Sequence, residues 1–134
     1  MYYLDSTVVH FGGGKMKWEL DKSRAICPQI CEQLCVGIAS GELPSGSKLF
    51  SVREVAVSAG VNPNTVQKSF EQLEQKGIIY SIRGSGWYVG EDISSAKEMV
   101  KELIVEKTAQ YFASMNSLGL DANEIKQYVK EWQA

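Results

Sequence analysis

The sequence is poor in the residues from which most catalytic and metal centres are built. It has one histidine, His10, and three cysteines, Cys27, Cys31 and Cys35, among 134 residues. A tetrahedral zinc site needs four ligands, and the only histidine lies in a flexible-looking leader away from the cysteines, so a metal is not expected. The cysteines are four residues apart and would form one stripe on a helix, which is how small apolar fillers are spaced. Redox sensing is the sharper alternative, but nothing nearby would lower a thiol pKa. An odd cysteine count at helical spacing also argues against a disulfide framework. No apolar run approaches the roughly 18 residues of a membrane span. The N-terminus lacks the basic start and apolar run of a secretory signal, so a cytoplasmic protein is expected. No catalytic pairing and no phosphate loop is present. Gly84-Ser85-Gly86 is too short, and follows the wrong elements, to be a dinucleotide fingerprint. Neither an enzyme nor a cofactor is expected.

The charge is not strongly of one sign: 14 Lys/Arg face 16 Asp/Glu, a net −2. Its distribution is uneven. Residues 1–90 hold nine cations and eight acids, whereas residues 91–134 hold five cations and eight acids. The acidic excess therefore lies in the C-terminal third. A surface for nucleic acid needs only a local cluster of cations, so the total does not exclude one.

Periodicity divides the chain in three. Residues 1–15 look like an irregular, flexible leader ending in a glycine run. Residues 16–90 carry three helical patterns and a hairpin. In the first helix, expected from Pro28 to Gly41, Ile30, Cys31, Leu34, Cys35 and Ile38 recur on one face. After a turn at Leu43–Gly46, Ser51 and Glu54 have capping-box spacing for a second helix, 52–59, with Val52, Val55, Ala56 and Ala59 inward. Gly60 stops it. Asn62 and Pro63 open a third helix, as N-cap and first residue, with Val66, Phe70 and Leu73 on its core face and Gly77 at its end. Two short helices about a glycine-bearing turn make a helix-turn-helix pattern. The apolar runs 78–82 and 87–89 then predict two strands joined at Arg83-Gly84-Ser85-Gly86, a hairpin wing. Trp87 is expected to pack this wing against the helices.

Residues 91–134 read as two amphipathic helices, 94–118 and one opened by Asp121 and Glu124. Two such stripes cannot cover each other completely, so a second subunit is expected to bury the remainder. Met99, Leu103, Tyr111, Phe112, Ile125, Tyr128 and Trp132 are the candidate dimerisation residues. An effector could instead enter beside Tyr111, Phe112 and Trp132, although core packing is the plainer role. The fold class is thus mainly α with a small β-hairpin: a winged helix-turn-helix followed by a two-helix dimerisation segment.

The major groove admits one helix, and its N-terminal side chains read bases. Asn64, Thr65, Gln67 and Lys68 are exposed at that position in the third helix, with Asn62 before them and no acid among them. Asn and Gln bond bidentately to adenine, and Thr offers a methyl or a hydroxyl. Free N–H groups at the helix start would suit a phosphate. Arg53, in the first turn of the second helix, would clamp a phosphate or reach a guanine, unless Glu54 or Glu42 pairs with it. Arg83 and Gly84 form the wing tip, where glycine permits positive φ and close approach. Lys48 is a weaker phosphate candidate.

The same residues resemble the GntR family of bacterial regulators. The resemblance runs through Pro28-Gln29-Ile30, Gly41 to Leu49, Ser51-Val52-Arg53-Glu54, Gly60 to Val66, Leu73 to Ile79 and Arg83 to Val89, about 65 residues in order. Two positions depart from the pattern: Phe50 stands where the family has Pro, and Lys68 where Arg is common. The resemblance implies that Arg53, Asn64, Thr65, Gln67, Arg83 and Gly84 approach DNA. The short C-terminal segment looks like the YtrA subfamily, which implies a homodimeric repressor of transporter genes on a two-fold symmetric, double-stranded DNA operator. A winged module that docks another protein without binding DNA is the alternative.

Overall fold

In the computed structural model the structure describes residues 8–11 and 14–133. The chain divides into two compact units, Met1–Val100 and Lys101–Ala134.

The first unit begins with an antiparallel hairpin, β1 (Val8–Phe11) and β2 (Gly14–Lys17). An irregular leader was the expectation here, so the strands are a correction for residues 8–11 and 14–15; residues 1–7 and 12–13 lie outside the described residues. From Met16, at the end of β2, to Leu20, buried and exposed residues alternate, with Met16 and Trp18 inward. Trp18 is 3% exposed and meets the ring of Phe50 edge-on at 6.3 Å. The bulky residue at the family's proline position is thus core, packed against an aromatic from outside the matched pattern.

Helix α1 (Ile26–Ser40) starts two residues before Pro28. The proline stands in its first turn, where N–H groups have no intrahelical acceptor, so it costs no hydrogen bond. Its predicted stripe of Ile30, Cys31, Leu34, Cys35 and Ile38 is buried, and Gly41 caps its C-terminus. Helix α2 (Val52–Ala59) has the expected capping box: Glu54 N–H donates to Ser51 Oγ at 3.0 Å, and Ser51 N–H to Glu54 Oε1 at 3.1 Å. Gly60 turns the chain at φ 68°, a left-handed conformation costly for any residue with a Cβ. The N–H of Val61 then bonds back to the Ala56 carbonyl.

Helix α3 (Pro63–Gln75) buries Val66, Ser69, Phe70 and Leu73, and packs against α1 and α2. The hairpin follows as β3 (Ile79–Ile82) and β4 (Gly86–Val89), with Ile79 opposite Val89 and Tyr80 opposite Tyr88. Ile78, expected in the strand, precedes it: its N–H bonds the Leu73 carbonyl and its own carbonyl accepts from Gly90. Trp87 stands edge-on to Phe70 at 5.3 Å and ties the wing to α3, as expected. Residues 46–49 run along β4, with bonds from Gly46 N–H to Val89 O, Val89 N–H to Ser47 O and Leu49 N–H to Trp87 O of 2.8, 2.9 and 2.8 Å. The wing thereby gains a third backbone strip.

Helix α4 (Ser94–Asn116) opens in the first unit, where Ala96 is buried and Met99 and Val100 lean on the core. The division between units falls inside α4, ten residues after the sequence-based boundary at residue 90. In the second unit α4 ends at Asn116, and α5 (Ala122–Glu131) begins with a second capping box, Asp121 with Glu124. Ile125 is the one buried residue among residues 101–133.

Candidate nucleic-acid interface

The front of α3 is set by local chemistry. Asn62 is its N-cap in extended conformation, and its side-chain oxygen accepts the Asn64 N–H at 2.8 Å. Pro63 supplies the first helical φ and has no N–H to satisfy. Asn62, Asn64, Gln67 and Lys68 are exposed, and Thr65 is half-buried. The side chains thus present a polar front, except that Thr65, expected to be exposed, is half-buried. The free N–H groups expected at the helix start are not found. The Asn64 N–H is capped by Asn62, and the Thr65 and Val66 N–H groups bond the Asn62 carbonyl at 3.0 and 3.3 Å. Any phosphate at this corner must be held by side chains. The Gln67 amide donates to Glu71 Oε1 at 3.0 Å, which leaves its carbonyl oxygen and one N–H for another partner. That partner was not foreseen, although Gln67 and Glu71 stand at helical i,i+4 spacing.

Arg53 is exposed in the first turn of α2. Its expected competitor, Glu54, is committed to the capping box. Among the described residues no carboxylate lies within ion-pair distance of Arg53, Lys68 or Arg83. These cations carry uncompensated charge toward solvent, the electrostatic footprint a phosphate backbone requires.

The wing tip is a tight turn in which the Ser85 N–H bonds the Ile82 carbonyl at 2.9 Å. Gly84 has φ 78°, and a Cβ built on it would meet nothing within 4 Å. Space is therefore open, but the backbone conformation selects glycine. Arg83 and Gly84 are exposed, and the hydroxyls of Ser85 and Tyr88 are hydrogen-bonded beside them. At the base of the wing, Glu74 on α3 accepts from the Ser81 N–H and Oγ at 3.2 and 2.8 Å, fixing the hairpin to the helix. Lys48 pairs in backbone with Tyr88, and its Cε lies 3.3 Å from where a Cβ on Gly86 would be. Its stem therefore lies over the wing instead of reaching away from it.

The cysteines are fillers by environment. Burial pushes the Cys31 thiol up to about 12 and the Cys35 thiol up to about 11, so neither forms a thiolate near neutral pH. Cys27 is half-buried and accepts from Ser69 Oγ at 3.3 Å. Among the described residues no cluster of three or more His, Cys, Asp or Glu could hold a metal. No helix among them is long and apolar enough to cross a membrane.

A capped α2, a left-handed glycine, a polar-fronted α3 and a hairpin with a basic tip define a winged helix-turn-helix protein of the DNA-binding class. Residues 28–89 match the profile described as "Bacterial regulatory proteins, gntR family". The chain is 33% identical over 112 residues to the uncharacterized HTH-type transcriptional regulator YhcF of Bacillus subtilis, covering 84% of this chain and 93% of that protein. It is 34% identical over 113 residues to the HTH-type transcriptional repressor YtrA of the same organism, covering 84% and 87%. A GntR family transcriptional regulator from Listeria monocytogenes superimposes with a TM-score of 0.71 at 33% identity, over 85% of this chain and all of that one. The chain belongs to the GntR family of bacterial DNA-binding transcription regulators. These relatives are regulators, not enzymes.

Proposed function

We propose that the protein is a cytoplasmic, homodimeric repressor that binds a two-fold symmetric operator. Asn64, Thr65, Gln67 and Lys68 enter the major groove. Arg53 clamps a phosphate or a guanine edge, Arg83 and Gly84 meet the backbone or minor groove at the wing, and Asn62 orients the helix start. Lys48 adds charge from the wing's base. The observation that carries this reading is the polar front of α3, with Asn62, Asn64, Gln67 and Lys68 exposed, together with the exposed Arg53 and Arg83, which like Lys68 have no carboxylate partner among the described residues. The repressor sign rests on likeness to YtrA, which is named a repressor.

Dimerisation is supported by the second unit. Tyr111, Tyr128, Val129 and Trp132 are exposed there, Trp132 at 74%, and so are Ile104 and Val105 on α4. Apolar and aromatic exposure on this scale is a property of interaction surfaces. Leu103 and Phe112 are half-buried beside them. Met99, in the first unit, leans on the winged core, and Ile125, in the second, is fully buried, so any part these two take in a dimer is indirect.

The test is selection of duplexes from a random pool, followed by a gel-shift titration at fixed salt. A two-fold symmetric site with half-sites about one helical turn, roughly 34–36 Å, or a multiple apart is expected. Failure to enrich any duplex, with a stoichiometric protein partner retained instead, would favour a protein-docking module.

A further inference from the structure

One cation outside the sites above is carried to the helix-turn-helix turn by a segment that belongs to no helix or strand. Residues 18–25 run beside the N-terminal half of α1, fastened by two glutamines one helical turn apart. Gln33 accepts from the Glu19 N–H at 3.0 Å and donates to the Glu19 carbonyl at 2.7 Å. Gln29, buried, accepts from the Asp21 N–H at 2.8 Å and donates to the carbonyls of Asp21 and Ala25, both at 2.9 Å. Each side-chain amide satisfies both backbone groups of one residue, as a neighbouring strand would. The segment is a strap with a fixed path.

The strap delivers Lys22, whose ammonium donates to the Gly60 carbonyl at 3.2 Å. Gly60 is the C-cap of α2 and precedes Asn62 by two residues. The start of α1 reaches the same corner. Ser69 Oγ on α3 bonds the carbonyls of Cys27 and Thr65 at 3.3 and 2.9 Å, so the first turn of α1 lies against the front half of α3. The neighbouring acid does not neutralise Lys22. The Asp21 carboxylate accepts from Ser23 N–H and Oγ at 3.0 and 2.6 Å and from Arg24 Nε at 3.1 Å. Those bonds, the Ser23 hydroxyl first, hold Asp21 below the usual carboxylate range. Lys22 itself is exposed. An ammonium has three donors, and one exposed carbonyl occupies one of them.

We infer that Lys22 is a phosphate contact of the DNA interface, placed at the entrance to α3 by the strap. A backbone phosphate is the ligand with the right chemistry: anionic, acceptor-only and repeated along a duplex. The Asn62 cap has left the α3 start without free N–H groups, so a side-chain cation must supply the charge there. The inference rests on the DNA-binding reading and adds a contact to it. A helix cap is the competing role, because a cation at the C-terminus of α2 also favours its dipole.

The experiment compares Lys22→Gln, Lys22→Arg and Gln33→Ala with the wild type. Fluorescence anisotropy across a salt series would use the pool-selected duplex and a scrambled duplex of equal length, with thermal melts alongside. Lys22→Gln should reduce the slope of log affinity against log salt by about 0.9 per bound subunit, equally on both duplexes, and Lys22→Arg should restore it. Gln33→Ala, which keeps the charge but loosens the strap, should weaken binding at a given salt. An unchanged slope for Lys22→Gln, with or without a lower melting temperature, would reduce Lys22 to a helix cap and overturn the inference. Unchanged binding by Gln33→Ala would overturn the strap's part. Should the wild type bind neither duplex, the DNA reading would fall and take this contact with it; loss confined to the Lys22 variants leaves that reading standing.

Discussion

The two units treat the same kind of pattern in opposite ways. In the first, apolar residues at helical spacing close on one another: Ile30, Leu34, Val55, Val66, Phe70 and Leu73 are essentially inaccessible. In the second, α5 carries an apolar face as regular as that of α1, whereas the apolar residues of α4, expected on one stripe, are spread around the helix, and Ile125 alone is buried among residues 101–133. Periodicity reports which face of a helix seeks apolar cover. Whether the cover comes from the same chain is a separate matter. One unit has a core, and the other has an exposed apolar surface, which the proposed dimer would cover.

The largest effect should come from removing the centre of that core. Phe70 is fully buried between α3 and the wing, where Trp87 meets it edge-on. Phe70→Ala should cost about 3–5 kcal/mol in chemical denaturation, combining lost transfer energy with a cavity. A loss near that of a surface residue would break the contrast between the units, because it would mean that the winged core is not self-sufficient.

The converse substitution is made in the second unit. Val129→Ser with Trp132→Ser removes apolar surface that this chain does not bury. The double variant should remain folded by circular dichroism but sediment as a monomer where the wild type is a dimer. Its operator affinity should fall at least tenfold, because one half-site no longer helps to hold the other. A double variant that stays dimeric would move the interface elsewhere.

Much of the winged unit was legible because its rules are local. The Ser51–Glu54 box, the Asn62–Pro63 start and the wing turn each depend on residues within a few positions of one another. The stripe on α1 needs only a spacing of three and four. What escaped was long-range. Trp18 finds Phe50 across about thirty residues, and the glutamine clamps span 8 and 14. No periodicity encodes such pairings. Element ends shifted by one or two residues, as at Ile26 and Asn116, because terminal turns have weak hydrogen-bond preferences. The polar front of α3 is legible in its side chains, apart from the half-buried Thr65, but not in its backbone, whose N–H groups are already spoken for.

A smaller effect tests whether recognition belongs to the first unit alone. Arg53→Ala removes an exposed guanidinium with no carboxylate partner among the described residues. It should weaken operator binding by on the order of 1–3 kcal/mol in a gel-shift titration at fixed salt. Sedimentation and thermal stability should not change. A shift in oligomeric state would show that the two surfaces are coupled. Unchanged affinity would remove Arg53 from the interface.

The smallest expected difference is the most direct comparison, because both units contain the same device. Ser51 and Asp121 are N-caps whose partners, Glu54 and Glu124, lie three residues on, with bonds of 3.0 and 2.9 Å from the partner N–H to the capping oxygen. Replacing either by Ala leaves one N–H without its side-chain acceptor, a loss of about 1 kcal/mol of helix stability. The consequences should diverge. Helix α2 buries Val55, Ala56 and Ala59 in the winged core, so Ser51→Ala should lower global stability by about that amount in urea denaturation. Helix α5 has one buried residue, Ile125, so its end can fray without opening a core. Asp121→Ala should leave the denaturation midpoint of the winged unit unchanged and appear instead as faster amide exchange in α5 and a weaker dimer. Equal losses of global stability from both variants would mean that the second unit is as firmly folded into the chain as the first. Its exposed apolar face would then need another explanation than a missing subunit.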